Sequence, residues 1–314
     1  MDLKVLLFAL SYVLLCGIVI GWCVSSAPAG TATSDASLTT YPLNMTDDLD
    51  RMITFDAVPQ RIVSLAPSNT EIVYGLGIGD RLVGADIYSN YPGPAMSLPR
   101  MGGMINVSEA DVIAAKPDLV LVGQFTPNAT VANLTAAGLP VFSTHPDNVS
   151  NTLQAVREIA SICGVPDRGE QLADRMKRDV SEITKKTAGL SPGQVPTVLM
   201  IITLGNQSYV ADQNGYMGDL ITLGGGLNVA TGPQMTHTEI LMADPDVIIV
   251  PLTDWTLTTF DSLKYGKEPW MQNLTAVKTG RVYPVGYDVV GRPGPRVGYA
   301  VTIMTRAMHP ELLN

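Results

Sequence analysis

Two stretches of the chain carry one pattern of polar and apolar positions. "KPDLVLVG" (116–123) and "DPDVIIVP" (244–251) each place a charged residue and Pro-Asp before a continuous apolar run. An apolar run without alternation predicts a strand buried on both faces, as in a parallel sheet. Proline disfavours helical geometry in the residue before it, so each phrase marks a helix end followed by a strand. The preceding residues fit that helix. "SEADVIAA" from Ser108 and "THTEILMA" from Thr236 each begin with a hydroxyl N-cap candidate and carry acidic residues in the first turn.

The likeness extends outward. Before each copy runs an apolar strand and then a short helix ending in Leu-Gly, at Leu76-Gly77 and Leu223-Gly224, where glycine suits a left-handed C-cap. After each copy comes another short strand, "LPVFST" from Leu139 and "GRVYPV" from Gly280. The order β-α-β-α-β therefore occurs twice. It predicts an α/β fold of two similar lobes with parallel-rich sheets.

Between the lobes, from 148 to about 190, no strand pattern occurs. "NTLQAVREIASICG" reads as an amphipathic helix stopped by Gly164. A second helix starts at Pro166 and stops before Gly189, with Leu172, Met176, Val180 and Ile183 at helical spacing. About twenty helical residues span about 30 Å. One long rigid helix is thus expected to join the lobes, with a ligand cleft between them where strand C-termini open. The expected divisions are a signal peptide or membrane anchor at 1–29, a polar tether at 30–58, an N-terminal lobe at 59–164, the linking helix at 165–190 and a C-terminal lobe at 191–314.

The first division rests on twenty uncharged, apolar residues, 5–24, after Lys4. They are long enough to span a bilayer as an anchor, while "APAG" at 27–30 offers cleavage after Ala29. Trp22 disfavours lipoprotein processing at Cys23. Either way the rest is expected to be extracytoplasmic, at the cell surface or in the periplasm. Seven N-x-S/T sites, at Asn44, Asn106, Asn128, Asn133, Asn148, Asn206 and Asn273, fit a glycosylated exported protein. Beyond Ala29 only Cys163 remains, so no internal disulfide forms, and its setting reads as a buried helix position.

Composition narrows the chemistry. Of 314 residues 46% are hydrophobic, enough for two cores, and the formal net charge of −9 argues against nucleic-acid binding. No G-x-S-x-G, no GKS/GKT phosphate loop and no C-x-x-C occurs. His145, His237 and His309 show no metal-ligand spacing, so no metal site is expected. No motif supports an enzyme. Two exported lobes facing a shared mouth suggest solute capture for a membrane transporter.

The residues also resemble a family. "RIVSLAPSNTEIVYGLGIGDRLVGADIYSNYP" (61–92), "GGMINVSEADVIAAKPDLVLVG" (102–123), "GDLITLGGGLNVA" (218–230), "HTEILMADPDVIIVP" (237–251), "AVKTGRVYPVG" (276–286) and "RPGPR" (292–296) are similar, in order and spacing, to substrate-binding proteins of cobalamin and iron-chelate ABC importers. The resemblance implies a helix-linked bilobal fold, little domain movement on binding, and a bulky metal complex as ligand. It implies an importer permease with its cytoplasmic ATPase as partners and no resident cofactor. By position it assigns Tyr91, Gln124, Phe125, Asp288 and Arg292 to the ligand; loop position adds Met104, Asn206, Tyr216 and Trp255. Tyr and Trp would supply apolar area to a flat corrinoid, and Asn, Gln, Asp and Arg would meet its amide fringe. Arg296 could instead only pair with a neighbouring carboxylate.

The same resemblance implies one acidic permease-docking residue per lobe. Here those positions hold Ala110 and Thr238, with Glu109, Asp111 and Glu239 one step away, a shift of about 100° around a helix. Glu71 is a third candidate; helix N-terminus chemistry explains such acids equally. For the ligand, the lack of a basic signature disfavours catecholate iron complexes, and "YSNYP" leans towards cobalamin or a related corrinoid. The alternatives are a ferric siderophore and, less favoured, haem, for which no axial residue stands out, or an exported enzyme on the same fold.

Overall fold

The computed structural model describes residues 39–254 and 256–313. The expected signal peptide or anchor, the start of the tether and Trp255 lie outside the described residues. Among those described, no helix is long and apolar enough to cross a membrane.

In chain order the strands are β1 (Leu43–Thr46), β2 (Met52–Phe55), β3 (Ile62–Ser64), β4 (Leu82–Ala85), β5 (Leu119–Gly123), β6 (Val141–Thr144), β7 (Thr197–Thr203), β8 (Ser208–Val210), β9 (Leu227–Asn228), β10 (Gln234–Met235), β11 (Val247–Leu252) and β12 (Val282–Gly286). The helices are α1 (Pro67–Gly75), α2 (Glu109–Ala114), α3 (Asn128–Ala136), α4 (Val149–Ile162), α5 (Pro166–Thr187), α6 (Tyr216–Leu223), α7 (His237–Ala243), α8 (Leu257–Lys264), α9 (Thr275–Lys278), α10 (Tyr287–Val290) and α11 (Val297–Met308).

Two sheets carry two lobes. The first, in order β4-β3-β5-β6, is wholly parallel. The second runs β10-β8-β7-β11-β12, with β9 also paired to β7. Its β7, β9, β11 and β12 are parallel, while β8 and β10 form an antiparallel edge. The continuous apolar runs are the central strands: Leu119 to Val122 and Val247 to Val250 are fully buried. Helices on both faces leave such strands no solvent side, so alternation is absent.

The repeated Pro-Asp phrase has a shared geometry. Lys116 and Asp244, each before the proline, take positive φ of 48° and 33° and end their helices. The aspartate after each proline then fixes the start of the neighbouring strand. Asp118 accepts from the backbone N–H groups of Gln60 (2.8 Å) and Arg61 (2.7 Å). Asp246 accepts from the N–H (2.9 Å) and hydroxyl (2.8 Å) of Thr197. These bonds align Ile62 with Leu119 and Val198 with Val247.

Other local expectations hold in part. Thr236 caps α7 in a reciprocal box with Glu239, whereas Ser108 makes no side-chain cap on α2. Gly77 is left-handed (φ 72°), but Gly224 is not; the turn passes to Gly225 (φ 90°). Cys163 is buried as expected, and that burial pushes its thiol up to about 12.

The connector is the 22-residue α5, about 33 Å long. It packs on α4 and α11 through Leu172, Ala173, Met176 and Val180, all buried. Gly169 lets α4 and α5 approach: a Cβ there would lie 2.4 Å from that of Ala160.

The expected tether needs correction. Its later residues form the β1–β2 hairpin, seated on the first lobe. Tyr41 donates to the carbonyl of Ile162 (2.8 Å), and buried Asp47 accepts from the N–H of Ser143 (3.1 Å) and of Arg51 (3.0 Å).

Candidate functional site

The strand C-termini of both sheets open onto one cleft of about 330 Å³. From the first sheet come residues 65–68 after β3, Gly123 at the end of β5 with 124–126 beyond it, and Thr144 and Pro146 at the end of β6. From the second come Thr253 after β11 and, beyond β12, Tyr287, Asp288 and residues 291–293. A tight loop, 103–106, and Tyr88 complete the wall. Gly102 closes that loop at φ 87°, where a Cβ would meet the Asn106 carbonyl at 2.4 Å. The loop thereby projects Met104, Ile105 and Asn106 at the cleft. Gly123 lets β5 approach α1, since a Cβ there would lie 2.8 Å from that of Ala66.

At the cleft floor a charged network ties the lobes together. Arg292 donates to Glu71 (3.3 Å), Asn90 Oδ1 (2.8 Å), the Tyr88 carbonyl (3.0 Å) and Asp288 (2.7 Å). Arg296 clamps the same Glu71 with Nε at 2.8 Å and Nη2 at 2.6 Å. Asn90 closes the ring by donating to Asp288 at 2.8 Å. Glu71, Tyr88 and Asn90 belong to the first lobe; Asp288, Arg292 and Arg296 belong to the second. Bonded from so many sides, Arg292 and Glu71 are both buried.

A second polar belt braces the first lobe beneath the wall. Asp86, buried, accepts from the Tyr88 N–H at 2.8 Å and the Ser89 hydroxyl at 2.5 Å. Burial nonetheless pushes its carboxyl up, against the lowering by these bonds, Arg292 and Arg100. Asn69 donates to the Val122 carbonyl (3.1 Å) and accepts from Thr144 (2.9 Å), locking the ends of β5 and β6 to α1.

Of the sequence-assigned ligand residues, Met104, Gln124, Phe125, Asp288 and Arg292 line the cleft. Gln124 and Phe125 are exposed there. Tyr91, Asn206 and Tyr216 do not line it. Tyr91 instead sits under the Arg296 guanidinium, 4.4 Å from the ring centroid. Tyr216 is buried behind the wall and donates to the Arg292 carbonyl at 3.4 Å. Burial raises its hydroxyl pKa. Asn206 is exposed in the β7–β8 turn. Trp255 lies outside the described residues.

Among the docking candidates, Glu71 is corrected: it is buried and held by two arginines, so no partner can reach it. Asp111 is exposed on α2. Glu109 accepts from Asn133 at 3.1 Å. Glu239 is exposed, and its Thr236 bonds lower its pKa.

Tyr88, Asn90, Thr126 and Tyr287 were not anticipated. Tyr88 and Asn90 belong to the "YSNYP" segment, in which the sequence pointed to Tyr91 instead. Thr126 and Tyr287 follow β5 and β12, where any strand-end residue was a candidate. None of the three histidines lines the cleft. Among the described residues no group of three or more His, Cys, Asp or Glu could hold a metal ion.

Two α/β lobes on a helical rod, with a preformed cleft between strand ends, define a bilobal solute-binding protein. The periplasmic binding protein family pattern matches residues 62–288, and the chain belongs to that family. It is 28% identical over 309 residues to the uncharacterized ABC transporter substrate-binding lipoprotein YvrC of Bacillus subtilis, covering 95% of each chain. It is 24% identical over 256 residues to the vitamin B12-binding protein of Yersinia pestis, covering 79% of this chain and 86% of that one. Among solved structures, the periplasmic heme-binding protein RhuT from Roseiflexus sp. RS-1, in apo form, superposes with a TM-score of 0.71 at 28% identity. That match covers 81% of this chain and 99% of that one. The family is one of periplasmic, extracytoplasmic binding proteins, and these relatives are substrate-binding proteins, not enzymes.

Proposed function

We propose that the protein captures a metal chelate, cobalamin or a related corrinoid, between its lobes and hands it to an importer permease served by a cytoplasmic ATPase. The observation that carries the choice is the charge balance of the cleft. Its ionised side chains, Asp288 and Arg292, bond to each other at 2.7 Å, and the rest of the wall is apolar or neutral-polar. A polyanionic iron catecholate favours unpaired cations. A corrinoid favours apolar area with amide partners at its edge, which Tyr88, Met104, Ile105 and Phe125, beside Gln124 and Asn106, supply. The likeness to a vitamin B12-binding protein supports the same reading.

One observation favours haem as a second reading. The half-exposed Tyr88 sits on the cleft wall, and a tyrosine can serve as an axial ligand. The likeness to RhuT is consistent with it. Docking on the permease is assigned to Glu109, Asp111 and Glu239, which lie on α2 and α7, the corresponding helices of the two repeats. The N-terminal segment is assigned to membrane attachment or export.

The test is titration of the purified chain with cyanocobalamin, hemin and a ferric catecholate, followed by tryptophan fluorescence and visible absorbance. Saturable one-to-one binding of cyanocobalamin supports the corrinoid. A Soret change that Tyr88→Phe removes selects haem. Binding of the catecholate alone overturns both.

A further inference from the structure

The exposed apolar surface at the cleft lies on one lobe. Ile105 is 67% exposed, Tyr88 50% and Phe125 48%, and all three line the cleft from the first lobe. Ile87 is 51% exposed and does not line it. Its side chain nonetheless belongs to the same surface. A Cβ at Gly103 would lie 3.5 Å from the Tyr88 ring and 3.7 Å from Ile87 Cδ1, so both flank the loop that carries Ile105. Apolar residues scattered singly over a surface need no explanation, but a contiguous exposed patch marks a binding surface.

The facing wall offers no counterpart. Among the described residues the second lobe lines the cleft with Thr253, Tyr287, Asp288, Gly291, Arg292 and Pro293, none of them an exposed large apolar side chain. Tyr287 is folded onto its own turn, where a Cβ at Gly291 would meet its ring at 2.9 Å, and Asp288 and Arg292 bond to each other. The backbone beneath the first-lobe surface is fixed without any guest. The Ile87 N–H donates to the Gly102 carbonyl (2.9 Å) and the Tyr88 N–H to Asp86 (2.8 Å). Arg292 holds the Tyr88 carbonyl (3.0 Å) and Arg100 the Asp86 carbonyl (2.9 Å). The cleft volume points to the occupant. About 330 Å³ is at the low end of the roughly 300–1,000 Å³ that hold drug-sized ligands, and a corrinoid with its nucleotide loop is larger than such ligands. Part of that guest must stand outside the cleft.

We propose that Ile87 and Ile105 form an apolar shelf that continues the first-lobe wall past the cleft mouth and covers the part of the guest standing outside, so that the guest is held mainly from one side. This deepens the cleft reading above and rests on it for the identity of the guest, though not for the shelf. The apolar area that binding removes from water lies on the first lobe, and the second lobe closes the cleft with groups already bonded within the protein. Ile87 thereby joins the ligand-binding residues from beyond the enclosed volume.

Two arms test this on the full chain, on Ile87→Ser, Ile105→Ser and their double variant, and on Leu227→Ser, an exposed second-lobe position that does not line the cleft. The substituted side chains are at least half exposed, so all variants should keep the wild-type urea midpoint. In the first arm the apolar dye anilinonaphthalene sulfonate is titrated into the empty protein. Its fluorescence should fall about twofold or more in the double variant and stay unchanged in Leu227→Ser; equal signals in wild type and double variant overturn the shelf. In the second arm, isothermal titration with cyanocobalamin should show affinity lower by about threefold to tenfold in Ile87→Ser and in Ile105→Ser, the value of covering about half an isoleucine side chain. Leu227→Ser should bind like the wild type. Unchanged affinity in Ile87→Ser overturns the proposal, and with a lost dye signal it gives the shelf to another partner. Self-association of the wild type that the double variant abolishes would make the shelf an interface between copies and also overturn it. If the wild type binds no cyanocobalamin, the corrinoid reading fails, and the dye arm still decides the shelf.

Discussion

The guanidinium of Arg292 lies 3.3 Å from the carboxylate of Glu71, a residue 221 positions away in the chain. With Arg296 gripping both oxygens of the same carboxylate, the two arginines join the lobes at the cleft floor. Arginine was anticipated here as a ligand contact. Its donors are instead spent on Glu71, Asn90, Asp288 and the Tyr88 carbonyl, so its first task is to hold the wall in place.

Glu71→Ala should therefore act on stability before binding. It leaves two arginines, both mostly buried, without their carboxylate, and breaking a buried pair costs about 3–5 kcal/mol. Urea unfolding measures this. A loss below about 1 kcal/mol would show that the network contributes little.

Asp86 gives the fold a pH dependence of definite sign. Its carboxyl is raised from the ordinary 3.8 by burial, so the folded protein holds a proton that the unfolded chain releases. This contribution is fully present below 3.8 and is lost as pH rises through the elevated folded value. Asp86→Asn should remove that segment of the profile. Urea midpoints measured stepwise through the mildly acidic range should diverge between variant and wild type; parallel curves would refute the assignment.

The rod can be tested at its tightest point. Gly169→Ala places a methyl 2.4 Å from the Ala160 Cβ, an atom that cannot swing away. Overpacking costs about 1–3 kcal/mol, against up to about 1 kcal/mol gained in helix propensity. The net expectation is a loss of about 1–2 kcal/mol in thermal or urea unfolding. A stabilised variant would mean that α4 and α5 separate without cost.

Binding should distinguish Phe125 from Tyr91. Phe125→Ala removes exposed aromatic area from the cleft wall and should weaken cyanocobalamin binding about tenfold or more. Tyr91→Ala removes only the ring beneath Arg296, so affinity should stay within about twofold while stability drops about 0.5–1 kcal/mol. Isothermal titration of both variants decides, and equal losses would put Tyr91 back in the site.

What could be read from the sequence follows from the range of the forces involved. Central strands such as Leu119–Gly123 announce themselves through unbroken apolar runs, and α5 through helical spacing, because both patterns are local. The β1–β2 hairpin also had a local trace, alternating burial in "LNMT" and "MITF", but its short strands were absorbed into a polar stretch. The antiparallel edge formed by β8 and β10 is too short for any period to show. The burial of Glu71 could not be foreseen. In "SNTE" it reads as a surface helix acid, and its arginine partners stand at the far end of the chain. Strand ends pointed to Gln124 and Phe125; the place of Ile87 beside the cleft emerges only from the packed neighbours.

The rod and the charged floor fasten the lobes at two separate places, and a body pinned twice resists swinging. Entry of a guest is then expected to need little closing motion, and its affinity should be taxed less by the reshaping that hinged clamshells undergo. The difficulty moves to the exit. A vessel held shut in this way would have to be pried apart by whatever receives its cargo, and that receiver would supply the work.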